Sequence, residues 1–235
     1  DRMAASQFTL LGERRYGPFF LTQALGALND NLLKNALVIM ATFHAAEYSS
    51  LDPNVVTQLA GALFILPFLL FSAIAGQLAD KLDKAQVMRW VKVAELAIMV
   101  VATVGFFIKS LPLLLFALFC MGTHSAFFGP AKYGFLPHVL GDRELTGGNA
   151  LLEAGTFLSI LLGTLLAGLL AAQASPAALS GALLGIALVG IVASRYITPV
   201  TPSAPELVVN WNPATTTWSV LKYARGNDTV FKSLV

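Results

Sequence analysis

The chain has 235 residues, of which 56% are hydrophobic and only 12% charged, with a mean hydropathy of +0.71. A water-soluble domain carries about 25% charged residues, and no compact soluble core could hide this much apolar side chain, so a bilayer is the natural solvent. The net charge of +2 is too small to suggest a nucleic-acid partner, and the single cysteine, Cys120, excludes an intramolecular disulfide.

Residues 1–16 read as a polar cytoplasmic segment ending in Glu13-Arg14-Arg15, with no cleavage signature of a signal peptide. Six segments then reach the ~20 mostly apolar residues that a spanning helix needs: 17–45, 56–79, 87–109, 112–136, 148–172 and 177–198. Turn-forming runs separate them, among them Leu51-Asp52-Pro53, Asp80-Lys81-Leu82-Asp83-Lys84, Ser110-Leu111-Pro112, Gly141-Asp142-Arg143-Glu144 and Ser175-Pro176. Long continuous apolar runs argue against a barrel, whose strands alternate every other residue. The fold class expected is therefore all-α membrane, a six-helix bundle over 17–198.

Lys and Arg orient such a bundle. With a cytoplasmic N-terminus, that side holds Arg2, Arg14, Arg15, Lys81, Lys84, Arg89, Lys92, Lys132, Arg143, Arg195, Lys222, Arg225 and Lys232. The opposite side holds Lys109, and Lys34 is left within the membrane. Residues 199–235 carry Pro199, Pro202, Pro205 and Pro213 among polar residues and read as a cytoplasmic linker. A short surface helix is expected near Trp218-Ser219-Val220-Leu221, and Thr229-Val230-Phe231 turns apolar again, as if leading to a seventh helix and a second, missing bundle.

The first segment contains Asn29-Asp30-Asn31-Leu32-Leu33-Lys34-Asn35. Polar groups in mid-span are costly unless they face protein or water, and they commonly mark a pathway. Asp30 and Lys34 stand four apart, so they share a helix face and could pair, as could Asn31 and Asn35. The fourth segment contains Gly129-Pro130-Ala131-Lys132-Tyr133-Gly134. Proline removes a backbone donor and glycine allows close approach, so Gly129, Pro130 and Gly134 are expected to break this helix. Lys132 is then either a pathway residue or a side chain snorkelling to the headgroups. Interrupted helices at matching places in two three-helix repeats point to a transporter's binding site. Helical rise places Lys132 too near the cytoplasm for a direct pair with Asp30, unless the fourth helix tilts, breaks or ends later than residue 136. Glu153 is a further candidate cavity residue, while Glu95 could pair with Arg89 or Lys92 near the headgroups.

The loop after the second segment reads Gly76-Gln77-Leu78-Ala79-Asp80-Lys81-Leu82-Asp83-Lys84. Gly76 would permit close helix packing, and Asp80 could cap the next helix. This loop resembles the cytoplasmic signature of the major facilitator superfamily, G-x-L-A-D-[RK]-x-G-[RK], with Asp83 where glycine is usual. The resemblance implies a conformational latch between two six-helix bundles, formed by Gly76, Asp80, Lys81 and Lys84. Ala27-Leu28-Asn29-Asp30-Asn31, Gly129-Pro130-Ala131-Lys132-Tyr133-Gly134 and Asn149-Ala150-Leu151-Leu152-Glu153-Ala154 resemble, more narrowly, its bacterial lysophospholipid transporter branch. That branch implies movement of lysophosphatidylethanolamine-type lipids from the outer to the inner leaflet of the inner membrane for re-acylation. It also implies acyltransferase or acyl-ACP synthetase modules as partners, either fused or encoded alongside. Asp30, Asn31, Lys34, Lys132, Tyr133 and Glu153 are the substrate-site candidates, with Asp30 suited to an ammonium and Lys132 to a phosphate.

Two rival readings share the hydropathy. A proton-coupled exporter of drugs or metabolites would use Asp30, but the usual G-x-x-x-G-P of the fifth helix is absent. A membrane anchor for a fused acyltransferase would have no need of Asn29-Asp30-Asn31. An acyltransferase within this chain would want a paired His and Asp; His44 and His124 lack one, and His138 and Asp142 stand at the wrong spacing. No cofactor, metal or catalytic residue is expected.

Overall fold

The computed structural model describes residues 7–48, 50–173 and 175–226. Arg2, Lys232 and the apolar run Thr229-Val230-Phe231, with the seventh helix expected there, lie outside the described residues. A 3-10 turn, Gln7–Gly12, leads into α1 (Gly17–Phe43). A single turn, α2 (Ala45–Tyr48), follows, then α3 (Pro53–Lys81), α4 (Lys84–Phe107), α5 (Leu111–Val139), α6 (Asp142–Ala172), α7 (Pro176–Arg195) and α8 (Pro213–Gly226). Each of the six apolar segments contains one long helix. The helices overrun the apolar segments mainly at their polar ends, because caps and backbone bonds extend a helix past the point where hydropathy falls.

Local chemistry sets the junctions. Asp52 accepts a hydrogen bond from Asn54 N at 2.8 Å and Pro53 opens α3, while Ser175 caps Ala178 N at 3.3 Å and Pro176 opens α7. At the start of α6 the Glu144 carboxylate accepts from Gly141 N at 2.9 Å. Between α4 and α5 the turn is made by Lys109 with φ 54°, the only left-handed non-glycine among the described residues. Its ammonium pairs with Glu47.

Five helices, α3 to α7, are long and apolar enough to cross a membrane. The 27 residues of α1 have the length, but Asn29, Asp30, Asn31, Lys34 and Asn35 lower its hydropathy. The chain is a multi-pass helical membrane protein. Its dominant packings are α3 on α5, α1 on α6, α4 on α5, α4 on α7 and α1 on α7. Exchanging α1, α3 and α4 for α5, α6 and α7 turns this set into itself: α1 on α6 becomes α5 on α3, and α4 on α5 becomes α7 on α1. The three-plus-three repeat expected from hydropathy is thus a property of the packing.

Two apolar cores hold the bundle. One gathers Leu32, Leu37, Met99, Phe106, Leu114, Met121, Ala167 and Leu183; the other gathers Tyr16, Phe19, Met88, Phe135, Leu136 and Leu152. Between the two cores α1, α4, α5 and α6 carry polar side chains: Gln23, Asn29, Asp30 and Asn31; Lys92 and Glu95; His124 and Ser125; and Thr156 with Ser159. A polar belt therefore crosses the bundle between two greasy layers.

Several expectations need correction. No break interrupts α5 at Gly129, Pro130 or Gly134; it runs unbroken through both Pro130 and Pro137 to Val139. Proline's fixed φ is helical, and each ring removes only one backbone donor, so the remaining ladder carries the helix through. Gly134 serves packing: a Cβ there would lie 2.8 Å from Lys84 Cε. Gly76 serves no packing in this bundle, since a Cβ would meet nothing within 4 Å. The cap of α4 is Asp83, not Asp80: its carboxylate accepts from Ala85 N at 2.9 Å with ordinary φ −59°. The turn therefore needs no glycine at this position.

The segment after α7 is docked on the loop between α3 and α4. Val200 N donates to Asp83 Oδ1 at 3.0 Å, Ala204 N to Asp80 O at 2.8 Å, and Asn210 N to Gln77 Oε1 at 2.8 Å. The buried Lys84 ammonium reaches Ser203 Oγ at 2.8 Å. Lys84 is thus a clamp on the linker in this bundle. The surface helix expected around Trp218 is α8, which packs on α3.

Candidate functional site

The polar belt opens into a cavity of about 260 Å³ lined by Gln23, Gly26, Ala27 and Asp30 of α1, Phe68 of α3, Lys92 of α4, a stripe of α5 from His124 to Tyr133, and Thr156 of α6. Asp30 and the distant neighbours Lys132 and Tyr133 line this one cavity. Continuation of α5 past residue 136 removes part of the depth gap between Asp30 and Lys132.

Asp30 Oδ2 accepts a hydrogen bond from Ser125 Oγ at 2.6 Å. Its other oxygen, Oδ1, is buried and has no hydrogen-bond partner among the described residues. A buried acceptor without a donor is expensive, so this oxygen is suited to a donor brought by a ligand or by water. Lys132 is turned inward, its side chain only 12% exposed, and does not snorkel outward. Its ammonium sits 4.5 Å over the Tyr133 ring and 3.9 Å from Glu153 Oε1, and Tyr133 OH donates to the same carboxylate oxygen at 2.8 Å. Glu153 therefore joins the site through Lys132 and Tyr133. No ion pair links Asp30 directly to Lys132 among the described residues; each is engaged on its own part of the wall.

The other α1 candidates face elsewhere. Asn31 donates to Ala27 O at 2.8 Å and packs where a Cβ on Gly163 of α6 would lie 3.0 Å from its own Cβ. Asn35 donates to Asn31 O at 2.8 Å and to Thr164 Oγ1 at 3.0 Å. Lys34 does not pair with Asp30; it donates to Asn31 Oδ1 at 3.3 Å and lies 5.5 Å over the Phe64 ring of α3. Successive residues of a helix point 100° apart, so the five polar residues between 29 and 35 cannot all face one cavity.

The sequence offers Lys92 as a partner for Glu95 but sets the pair near the headgroups; the structure buries it beside the cavity, with His124 and Asn29 added. Lys92 and Glu95, neither exposed at all, form an ion pair one turn apart on α4. Glu95 Oε1 accepts from Asn29 Nδ2 at 2.8 Å, and Glu95 Oε2 stands 3.2 Å from His124 Nε2. Asn29 Nδ2 also reaches Leu183 O of α7 at 3.2 Å. Lys92 and Glu95 are therefore inside the bundle, not at its surface where the orientation count and the headgroup pairing would put them. His124 finds its charged partner across α4, not within its own helix. The i,i+3 spacing of Lys92 and Glu95 was a visible signal, but only the depth of α4 in the bundle shows that the pair is dry. Gly190 of α7 makes the room, since a Cβ there would sit 2.5 Å from Lys92 Cε.

At the signature loop, Asp80 presents its carbonyl to Ala204; its side chain is exposed and Lys81 is half-buried, with no side-chain partner described for either. Nearby, Arg15 makes a two-pronged contact with Glu144, its Nη1 at 2.8 Å and Nη2 at 2.7 Å, which ties the start of α1 to the start of α6. Hydrogen bonds that Arg15 donates to Glu144 and then to Glu13 raise the pKa of its guanidinium further above its already high value.

The sequence matches the family model of the Major Facilitator Superfamily over residues 19–235. It is 30% identical over 191 residues to the lysophospholipid transporter LplT of Serratia proteamaculans, covering 81% of this chain and 44% of that protein. It is 28% identical over 197 residues to LplT of Yersinia enterocolitica, covering 84% and 45% respectively. For LplT of Yersinia pestis the identity is 28% over 203 residues, covering 86% and 46%. The chain spans about half the length of the curated relatives it matches. Six packed helices with a two-fold repeat, a polar cavity between α1 and α5, and this family match lead to one conclusion: the chain belongs to the major facilitator superfamily.

Proposed function

We propose that this chain forms half of a lysophospholipid transporter of the bacterial inner membrane, with both ends of the six-helix bundle in the cytoplasm. A second bundle completes the pathway, and alternation between the two carries lysophosphatidylethanolamine-type lipids from the outer to the inner leaflet for re-acylation. Acyltransferase or acyl-ACP synthetase modules are its expected functional partners. Relatives named as lysophospholipid transporters support the cargo class. The observation that carries the reading is Asp30 Oδ1, buried and without a hydrogen-bond partner among the described residues, on a residue that lines the same cavity as Lys132.

A zwitterionic headgroup satisfies both ends of this wall. Its ammonium donates to Asp30, and its phosphate takes Lys132, whose present contact with Glu153, at 3.9 Å, is long enough to be exchanged. The cavity of about 260 Å³ is below the roughly 300–1,000 Å³ of sites that engulf a drug-sized ligand. It suits a headgroup, with the acyl chain left in the apolar surroundings between bundles. No residue acts as a nucleophile, and translocation breaks no bond. The test is uptake of lysophosphatidylethanolamine into vesicles by the full-length protein, wild type against Asp30→Asn and Lys132→Ala. Loss of uptake in both, with the fold kept, supports the site, whereas undiminished uptake in both overturns it.

A further inference from the structure

Away from the Asp30 cavity, four guanidinium groups converge on one place. Arg14, Arg15, Arg89 and Arg195 line a cavity of about 440 Å³, bordered by Tyr196 and Pro199. They come from the run before α1, from α4 and from the last turn of α7. Arg15 is neutralised by Glu144 and Glu13. Arg89 gives Nε to Ser194 O at 3.3 Å and Nη2 to Ile197 O at 2.7 Å, so its donors meet carbonyls, and its charge meets no carboxylate among the described residues. Arg14 and Arg195 are exposed and have no described hydrogen bond or ion pair. Orientation in a membrane asks only that basic residues lie on one side. It does not ask that three uncompensated ones share a concavity, where they repel each other unless an anion sits between them. All are arginine, whose planar fork matches phosphate oxygens.

A second cavity, about 530 Å³, adjoins the first through shared Arg14 and Tyr196. It runs between the start of α1 and the end of α7, and its wall is mainly apolar, with Leu11, Phe20, Leu21 and Ala193. Its one carboxylate, Glu13, is already held by Arg15. We propose that the two cavities together bind an anionic diacyl phospholipid, its phosphate among Arg14, Arg89 and Arg195 and an acyl chain along the trough toward Leu21. The site is separate from the cargo cavity, to which α7 contributes no wall. It lies at the end of the bundle where a leaflet's phosphates would lie, and it crosses the α1–α7 and α4–α7 contacts, so a bound lipid would brace those helices.

The test uses the purified, delipidated full-length protein titrated with phosphatidylglycerol, phosphatidylcholine and glycerol 3-phosphate, with bound lipid counted by native mass spectrometry. Phosphatidylglycerol is expected to bind in preference to phosphatidylcholine. Arg14→Gln/Arg195→Gln should weaken it roughly 25-fold, about fivefold per arginine. Both side chains are exposed and unbonded, so the double variant should remain monodisperse on size exclusion. Lys222→Gln/Arg225→Gln removes the same charge from α8 and should leave binding within about twofold. Equal losses in the two double variants would mean diffuse surface charge and overturn the proposal. So would equal binding of the two lipids, or displacement of phosphatidylglycerol by glycerol 3-phosphate, which would mark a free-phosphate site.

Discussion

Replacing Glu95 by glutamine should destabilise the bundle more than any surface change of charge. Glu95 carries three contacts on two oxygens: Asn29 on Oε1, with Lys92 and His124 on Oε2. Glu95→Gln keeps the shape and the Asn29 bond but leaves the Lys92 ammonium, 0% exposed, with no counter-charge on its own helix. Breaking a buried pair by removing one partner costs about 3–5 kcal/mol. In a 150–250-residue protein 1 kcal/mol moves Tm by about 2–4 °C, and by less in a longer one, so the full-length variant should melt several degrees lower. Removing both charges, Lys92→Met/Glu95→Gln, should restore more than half of the loss, because an uncharged pair of similar volume leaves no buried charge without its counter-charge. The assay is the double-mutant cycle by thermal unfolding of the detergent-purified full-length protein. A Glu95→Gln protein as stable as wild type, or a double variant that merely sums the singles, would refute the reasoning.

Other expectations follow from single positions. Gly163→Ala puts a Cβ 2.6 Å from Leu28 O and should cost about 1–3 kcal/mol as α1 and α6 are pushed apart. Gly168→Ala meets nothing within 4 Å and should gain about 0.5–1 kcal/mol; the same unfolding assay checks both, and equal effects would count against the packing. Asp83→Ala removes the α4 cap and the Val200 clip, so protease should cut residues 199–212 faster than in wild type, and an unchanged cleavage rate would show that the linker is held by other contacts. Glu47 is held below its ordinary carboxylate value, first by the hydrogen bond from Lys109. The pair's small contribution is therefore present above the ordinary carboxylate pKa near 4.3 and is lost as pH falls through the lowered value. Lys109→Met should return Glu47 to the ordinary value in a carboxyl NMR titration.

How far the sequence could be read depended on the range of the forces involved. Long apolar runs announce spans by themselves, and every predicted segment holds its helix. Asp30 and Lys132 were visible because charge within an apolar run is costly wherever the helix sits. Asn31 reads as a cavity residue because adjacency in sequence looks like adjacency on a helix face, which it is not; Lys34 shares the face of Asp30 but stands a turn further along α1, over Phe64. Glu95, Lys92 and His124 were under-assigned because their burial depends on how α4, α5 and α7 pack, which no local pattern encodes. Pro130 looked like a break because proline's usual cost was weighed without the rest of the hydrogen-bond ladder. Asp83 looked like a defect in the signature loop, yet it is a cap and a linker clamp, since the turn needs no positive φ.

The most direct measurement is photo-crosslinking of a lysophosphatidylethanolamine, with the reactive group near its headgroup, to the purified full-length protein, followed by peptide mapping. The proposed function predicts label within residues 23–30 and 124–133. It also predicts that unlabelled lysophosphatidylethanolamine competes the label away and that Asp30→Asn weakens it. Label confined to the outward faces of α3 and α6, and indifferent to Asp30→Asn, would contradict the claim that this cavity carries the cargo.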